Sequence, residues 1–241
     1  MTMVLKAIGK SFFDLIYPPL CIHCKASLEP QCPIFCKTCI TFLSLIEPIG
    51  RCPFCFSIKF NKDFEKCCQE CIENPLGLDR MAAVFDYEGP PATLIKQLKY
   101  AGQTHLAKGA GAYLAAQFFT LEWPLPDVVI PVPSTLLRRF ERGANQSLLL
   151  AKSFAEIIGC PVSEILLRKS GDFSQAGLDF EQRRALQSEA FSVKRNTNLQ
   201  GNSILLIDDV MTTGSTLRCC AEVLQPMRPK AIYALTVCRT I

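Results

Sequence analysis

Two adjacent carboxylates, Asp208 and Asp209, are followed closely by Thr212, Thr213, Ser215 and Thr216 around the single glycine Gly214. Paired acids can accept hydrogen bonds from the hydroxyls of a sugar, or hold Mg²⁺ through water, but they repel a phosphate. The hydroxyl residues do the complementary work. They supply donors, and a glycine among them lets the backbone come close to an anion. A ligand that satisfies both halves carries a sugar and a phosphate. A plain N-capped helix would use one acid and one threonine, and would leave the rest of this stretch without a purpose.

A second set of residues has metal chemistry. Of the fourteen cysteines, ten precede Pro75, and eight of these form Cys-x-x-Cys pairs: Cys21/Cys24, Cys36/Cys39, Cys52/Cys55 and Cys68/Cys71. Each such turn presents two thiolates to one ion, and two turns complete a tetrahedral Zn²⁺ site. The spacing repeats, near 21–39 and again near 52–71, so two structural zinc ions are expected. Pairing in sequence order and a crossed pairing use the same ligands, and Cys67 competes with Cys68. Four-cysteine sites leave no open position on the metal, which makes their role structural or one of partner binding. Across this module Lys37, Arg51, Lys59, Lys62 and Lys66 alternate with Phe35, Phe42, Phe54, Phe56, Phe60 and Phe64. That mixture suits single-stranded nucleic acid, while a small zinc module also needs aromatics as core.

A third set is basic. Arg138, Arg139 and Arg142 lie beyond a Pro-Val-Pro segment, beside a helix start, and form a candidate pyrophosphate or anion loop. The polar stretch 168–189, with Gln175 and Arg183, has the composition of a mobile segment that could close over a substrate.

These residues need a scaffold. The apolar run 204–207 reads as a buried strand ending at 208, with a helix over 215–226. Further strands are predicted over 81–87, 127–133, 163–167 and 231–237. Helices are predicted over 92–101, 106–119 and from about Asn145 to Gly159. Alternation of this kind predicts an α/β fold: a parallel sheet with helices on both faces, preceded by the cysteine module. In open α/β sheets ligands bind at the carboxyl ends of the strands, where the acid pair and the arginine loop both fall. On spacing alone, Lys96 and Lys99 read as solvated residues of the 92–101 helix.

The composition, 49% hydrophobic and 20% charged, supports a packed core, and a net charge of +4 is too mild to argue for nucleic acid by itself. Residues 1–20 read as a short amphipathic helix, 21–75 as the double zinc module, and 76–241 as the α/β domain. No apolar run is long enough to span a bilayer, and no cleavage site follows the apolar N-terminal stretch. The expected location is therefore the reducing cytoplasm, where thiols bind metal rather than pair, with a peripheral place at the inner membrane face left open.

The order apolar-apolar-Asp208-Asp209-Val210-x-Thr212-Thr213-Gly214-x-Thr216 resembles the phosphoribosyl pyrophosphate (PRPP) motif of type I phosphoribosyltransferases. The resemblance implies that Asp208 and Asp209 hold the ribose hydroxyls, that Thr212, Thr213, Gly214, Ser215 and Thr216 wrap the 5′-phosphate, and that Mg²⁺ enters with PRPP. The whole chain has a further likeness. Four Cys-x-x-Cys pairs are followed by Leu98-Lys99-Tyr100-x-Gly102 and Pro131-Val132-Pro133. Then come Arg142-Gly143-Ala144-Asn145-Gln146 and the acid–threonine loop. This order resembles ComF (ComFC) proteins over nearly all of residues 18–240. The family carries an aromatic where this chain has Ala144, and its polar loop matches the Gln175–Arg183 segment. The resemblance implies a cytoplasmic competence protein with zinc ribbons and a type I phosphoribosyltransferase-like domain. It would act in DNA uptake during natural transformation, binding PRPP and single-stranded DNA or a helicase partner. The alternative is an active phosphoribosyltransferase, in which an acceptor that the sequence does not name displaces pyrophosphate from the ribose.

Overall fold

The computed structural model describes residues 19–29, 31–60, 66–75, 77–100, 103–135, 140–141, 143–169 and 190–240. The expected N-terminal helix lies outside them, apart from its last two residues, Pro19 and Leu20.

Strand β5 (Ser203–Met211) is central to the fold. Its residues Ile204, Leu205, Leu206 and Ile207 are all fully buried. A continuous apolar run is the mark of a parallel strand covered on both faces. Around it stand β1 (Arg80–Asp86), β2 (Val128–Pro131) and β6 (Ala231–Arg239), in the order β1-β6-β5-β2 with every pairing parallel. The strand extends past the sequence expectation. Asp208 pairs in register with Thr236, Val210 with Cys238 and Met211 with Arg239, so the acid pair stands in the last rungs of the ladder and not in the loop beyond it. Their positions are thereby fixed by sheet hydrogen bonds.

The topology opens a crevice beside β5. The chain leaves β5 for β6 on one side, whereas β2 is followed by a bridge between Val129 and Val162 on its other side. Connections that part in opposite directions make a topological switch point, where α/β sheets bind ligands.

Between β1 and β2 lie α3 (Gly89–Tyr100) and α4 (Leu106–Thr120); α5 (Gln146–Ile158) follows β2, and α6 (Ser215–Leu224) joins β5 to β6. Helix α5 ends as expected at Gly159, which takes a left-handed conformation and returns its N–H to Ala155. Helices α4 and α5 pack against each other where Gly111 meets Ser153. A strand expected over 163–167 is the three-residue β3 (Leu166–Arg168), which forms an antiparallel pair with β4 (Phe191–Val193) apart from the main sheet. The polar residues 170–189, with Gln175 and Arg183, lie outside the described residues.

The cysteine-rich segment is built twice on one plan. Cys21 and Cys52 each open a tight turn in which the residue after the second cysteine, Lys25 or Phe56, takes φ 62°. In each turn that residue donates its N–H to the first cysteine's carbonyl, at 3.0 and 2.8 Å. The second half of each unit is a one-turn helix, α1 (Lys37–Ile40) capped by Cys36 and α2 (Gln69–Glu73) capped by Cys68. Both units rest on the sheet. The edge strand β1 gives its Val84 carbonyl to the Ile46 N–H at 2.9 Å and its Met81 N–H to the Phe54 carbonyl at 2.7 Å. Buried Gln117 of α4 donates to the Ile46 carbonyl at 2.9 Å. An exposed sheet edge is thereby covered.

Candidate functional site

Asp208 and Asp209 leave β5 into a cavity of about 320 Å³ that is also lined by Lys99, Ser147, Arg168 and Thr216. Ser147, in the first turn of α5, donates its hydroxyl to Asp208 Oδ1 at 2.7 Å, and the Asp209 backbone N–H reaches the same oxygen at 2.8 Å. Lys99 Nζ stands 2.9 Å from Asp209 Oδ1, with both side chains largely buried. Burial, and then the Asp209 charge, push the Asp208 carboxyl up to about 7; the Ser147 hydroxyl, the Asp209 N–H and Lys99 oppose that rise without cancelling it. The pair therefore presents acceptor oxygens to a ligand, and Asp208 gives up its proton only near neutrality.

Lys99 overturns the reading of that residue as a solvated face. Lys96 is exposed as expected, but Lys99 turns inward at the end of α3 and pairs with Asp209 near the end of β5. Its place within Leu98-Lys99-Tyr100-x-Gly102 was the one signal available. Ser147 was missed altogether. Asn145, ahead of α5, uses its amide on the Val132 carbonyl at 3.3 Å, not on the helix it precedes. It thereby ties the loop after β2 to the helix that supplies Ser147.

The hydroxyl loop divides. Thr212 and Thr216 line the cavity with the acids, whereas Thr213 faces a neighbouring cavity. Ser215 opens α6, and its N–H points toward the Thr213 hydroxyl at 3.4 Å. Gly214 turns the chain with φ 76°, and a Cβ there would lie 2.8 Å from the end of the Met81 side chain. The left-handed conformation calls for glycine, whereas the end of the Met81 side chain could move aside. Arg138, Arg139 and Arg142 lie outside the described residues.

The eight paired cysteines gather as expected. Cys21, Cys24, Cys36 and Cys39 form one group and Cys52, Cys55, Cys68 and Cys71 the other, with all sulfurs of a group within 4.8 Å of one another. Pairing thus follows sequence order, and Cys68 is the member of the second group, leaving Cys67 out. Four sulfurs at ~2.3 Å from a central Zn²⁺ stand about 3.8 Å apart. The observed contacts, 3.6 Å for Cys24 to Cys36, 3.9 Å for Cys52 to Cys71 and 3.4 Å for Cys55 to Cys68, bracket that edge. The donor set therefore fits a metal of this size in both groups. Without a metal the thiols are electrostatically divided. In the first group, burial opposes ionisation of Cys21, but backbone N–H groups overcome it and bring that thiol down to about 6. In the second, burial raises Cys55 to about 12. Metal binding would settle all of them as thiolates and release protons.

Residues 143–240 match the family model of the phosphoribosyl transferase domain. Over 232 residues the chain is 28% identical to the DNA utilization protein YhgH of Salmonella typhi, covering 94% of this chain and 100% of the relative. It is 28% identical over 225 residues to competence protein F of Haemophilus influenzae, covering 91% of this chain and 96% of that one. Among solved structures, the allosteric regulatory enzyme of purine biosynthesis aligns at 20% identity and TM-score 0.39, over 54% of this chain and 25% of that one. The chain thus spans about a quarter of that enzyme. Among the described residues no helix is long and apolar enough to cross a membrane.

Proposed function

Because the chain belongs to the ComF family and carries a phosphoribosyltransferase domain, we propose that it binds PRPP with Mg²⁺ and single-stranded DNA, and acts in DNA uptake during natural transformation. The observation that carries the PRPP half is the acid pair at the end of β5, braced by Ser147 and Lys99 within one cavity. In this reading Asp208 and Asp209 accept hydrogen bonds from the two ribose hydroxyls, and Thr212, Gly214, Ser215 and Thr216 receive the 5′-phosphate at the start of α6. Thr213 belongs to the same loop. Mg²⁺, when bound with PRPP, neutralises the diphosphate. On the sequence reading Arg138, Arg139 and Arg142 share that task, while Gln175 and Arg183 approach from the segment between β3 and β4. Turnover would need positioning and charge stabilisation and no side-chain nucleophile, so binding and catalysis separate cleanly in experiment. The two cysteine groups hold structural zinc in this account.

The DNA half rests on the family and on the relatives' names. Anisotropy of a labelled single-stranded oligonucleotide, titrated with salt, should give a clear negative slope of affinity. Absence of binding even at low salt removes the DNA reading. A strain lacking this chain should lose DNA uptake or use, and unchanged transformation would contradict the cellular role.

A further inference from the structure

Three arginines that are distant in sequence meet behind the hydroxyl loop. Arg51 follows the first cysteine unit, Arg218 lies in α6 and Arg239 ends β6, and all three line a cavity of about 270 Å³ with Thr212, Thr213 and Lys59. Arg239 is buried, and the side chains of Arg51 and Arg218 are only 13% and 12% exposed. Burial of three guanidinium groups in one place is costly unless their charges and donors are met.

They are met only in part. Arg51 Nη2 pairs with Asp86 at 3.1 Å, Arg239 Nη1 donates to the Cys55 carbonyl at 3.0 Å, and Arg218 Nη2 reaches Glu70 at 3.6 Å. Arg51 Nη1, Arg218 Nε and Arg239 Nε are buried and find no acceptor among the described residues. With Lys59, four cations among the described residues thus face two carboxylates, and Glu70 is half exposed. A filled four-thiolate zinc centre beside them would carry a formal charge of 2−. That offsets charge, yet Cys55 meets Arg239 with its carbonyl and not its sulfur.

From this arrangement we propose that Arg51, Arg218 and Arg239 form a second anion site that takes a phosphate group, distinct from the loop that starts α6. A phosphate in this cavity would offer acceptor oxygens to the guanidinium groups that line it, and arginine is the side chain suited to it. The placement gives the site a context. The cavities follow the strand order along the carboxyl edge of the sheet: acid pair at β2 and β5, arginines at β5 and β6. A third cavity of about 590 Å³, lined by Phe85 and Asp86 at the end of β1, shares Arg51. A phosphate on the arginines would therefore sit next to whatever the acid pair holds, separated by Thr212. The site does not depend on PRPP being that ligand.

The test uses the full zinc-loaded chain with Mg²⁺ and PRPP in excess, so that the loop site is filled. Three probes are titrated: inorganic phosphate, a single-stranded dT oligomer, and the same oligomer with a 5′-phosphate. Against these, Arg218→Gln is the first variant, since Arg218 makes the weakest of the three pairings, and Arg239→Gln the second. The predicted result is that at least one probe binds the wild type and that each folded variant weakens it by about tenfold or more. A gain from the 5′-phosphate identifies a terminal monoester as the ligand. Equal loss for both oligomers, with the salt slope falling by about 0.7, identifies a backbone phosphodiester. PRPP affinity, measured separately, stays unchanged in Arg218→Gln, so failure here and failure of the PRPP reading are told apart. Probes that bind wild type and Arg218→Gln alike, or bind neither, overturn the site and leave the arginines as counter-charges to the zinc centre. If Arg239→Gln does not fold, Arg218→Gln alone decides the matter.

Discussion

Asp208 is held in β5 at an energetic cost that a ligand could remove. Its carboxyl is raised to about 7 by burial and by Asp209, far above the ~3.9 of an unfolded chain. A carboxyl raised on folding favours the protonated form, so this group destabilises the fold progressively as pH rises from about 4 to about 7. Asp208→Asn keeps an acceptor for Ser147 and the Asp209 N–H and removes the charge. At pH 8 it should stabilise the ligand-free protein by ~1–3 kcal/mol, with little gain at pH 4; denaturant unfolding at the two pH values checks this. The wild-type affinity for a sugar diol should rise with pH until about 7 and then level off, because the acceptor must be ionised. Lys99→Met should move that midpoint upward, since Lys99 is one of the groups that lower it. An unmoved midpoint would show that the lysine does not act on the acid pair. Residue-level detail of this kind was only partly legible. The acids and hydroxyls were plain in the sequence. Lys99 was not, because helical spacing cannot say which end of a helix reaches a sheet edge. Ser147 sits in an ordinary first turn.

Among the elements, α4 and α5 pack closely at Gly111. A side chain at Gly111 would run into Ser153, with the Ser153 carbonyl carbon at 2.9 Å and the Phe154 nitrogen at 3.0 Å from an added Cβ. Backbone cannot yield as a side chain can, so Gly111→Val should cost ~1–3 kcal/mol or more, read as a drop in Tm of several degrees. Because α5 carries Ser147, the same variant should also weaken ligand binding, though nothing it touches lines the cavity. Loss of neither stability nor binding would mean the helices repack freely. The strands and helices themselves were largely legible from their apolar periods, and the parallel sheet from their alternation. Two features were not. The length of β5 was hidden because acids at 208 and 209 read as loop, when ladder bonds to Thr236 and Cys238 in fact carry the strand to Met211. The β3–β4 hairpin was hidden because its partners lie on either side of a long polar segment.

In the whole molecule, the cysteine units and the sheet form one body. Cysteines 21, 39, 52, 55 and 68 belong to the same contiguous core as β1, β5 and β6. Metal analysis of freshly purified protein should find two zinc ions per chain. A strong chelator should then lower Tm for the entire transition and not for a separate early one, since β1 depends on contacts at Ile46 and Phe54. Absence of zinc, or a sheet transition indifferent to chelation, would contradict the shared core. The repeat of two Cys-x-x-Cys units was readable directly from spacing, and the choice of Cys68 follows because it caps α2 just as Cys36 caps α1. The arginine cluster was invisible, since Arg51, Arg218 and Arg239 share no local pattern and meet only through the sheet. The acid pair is the proposed place where a phosphoribosyl group is held. Calorimetry with PRPP and Mg²⁺ tests this most directly, comparing the wild type with Asp208→Ala combined with Asp209→Ala. Saturable one-site binding that the double variant abolishes is the predicted result; binding unaltered in a folded double variant would contradict it.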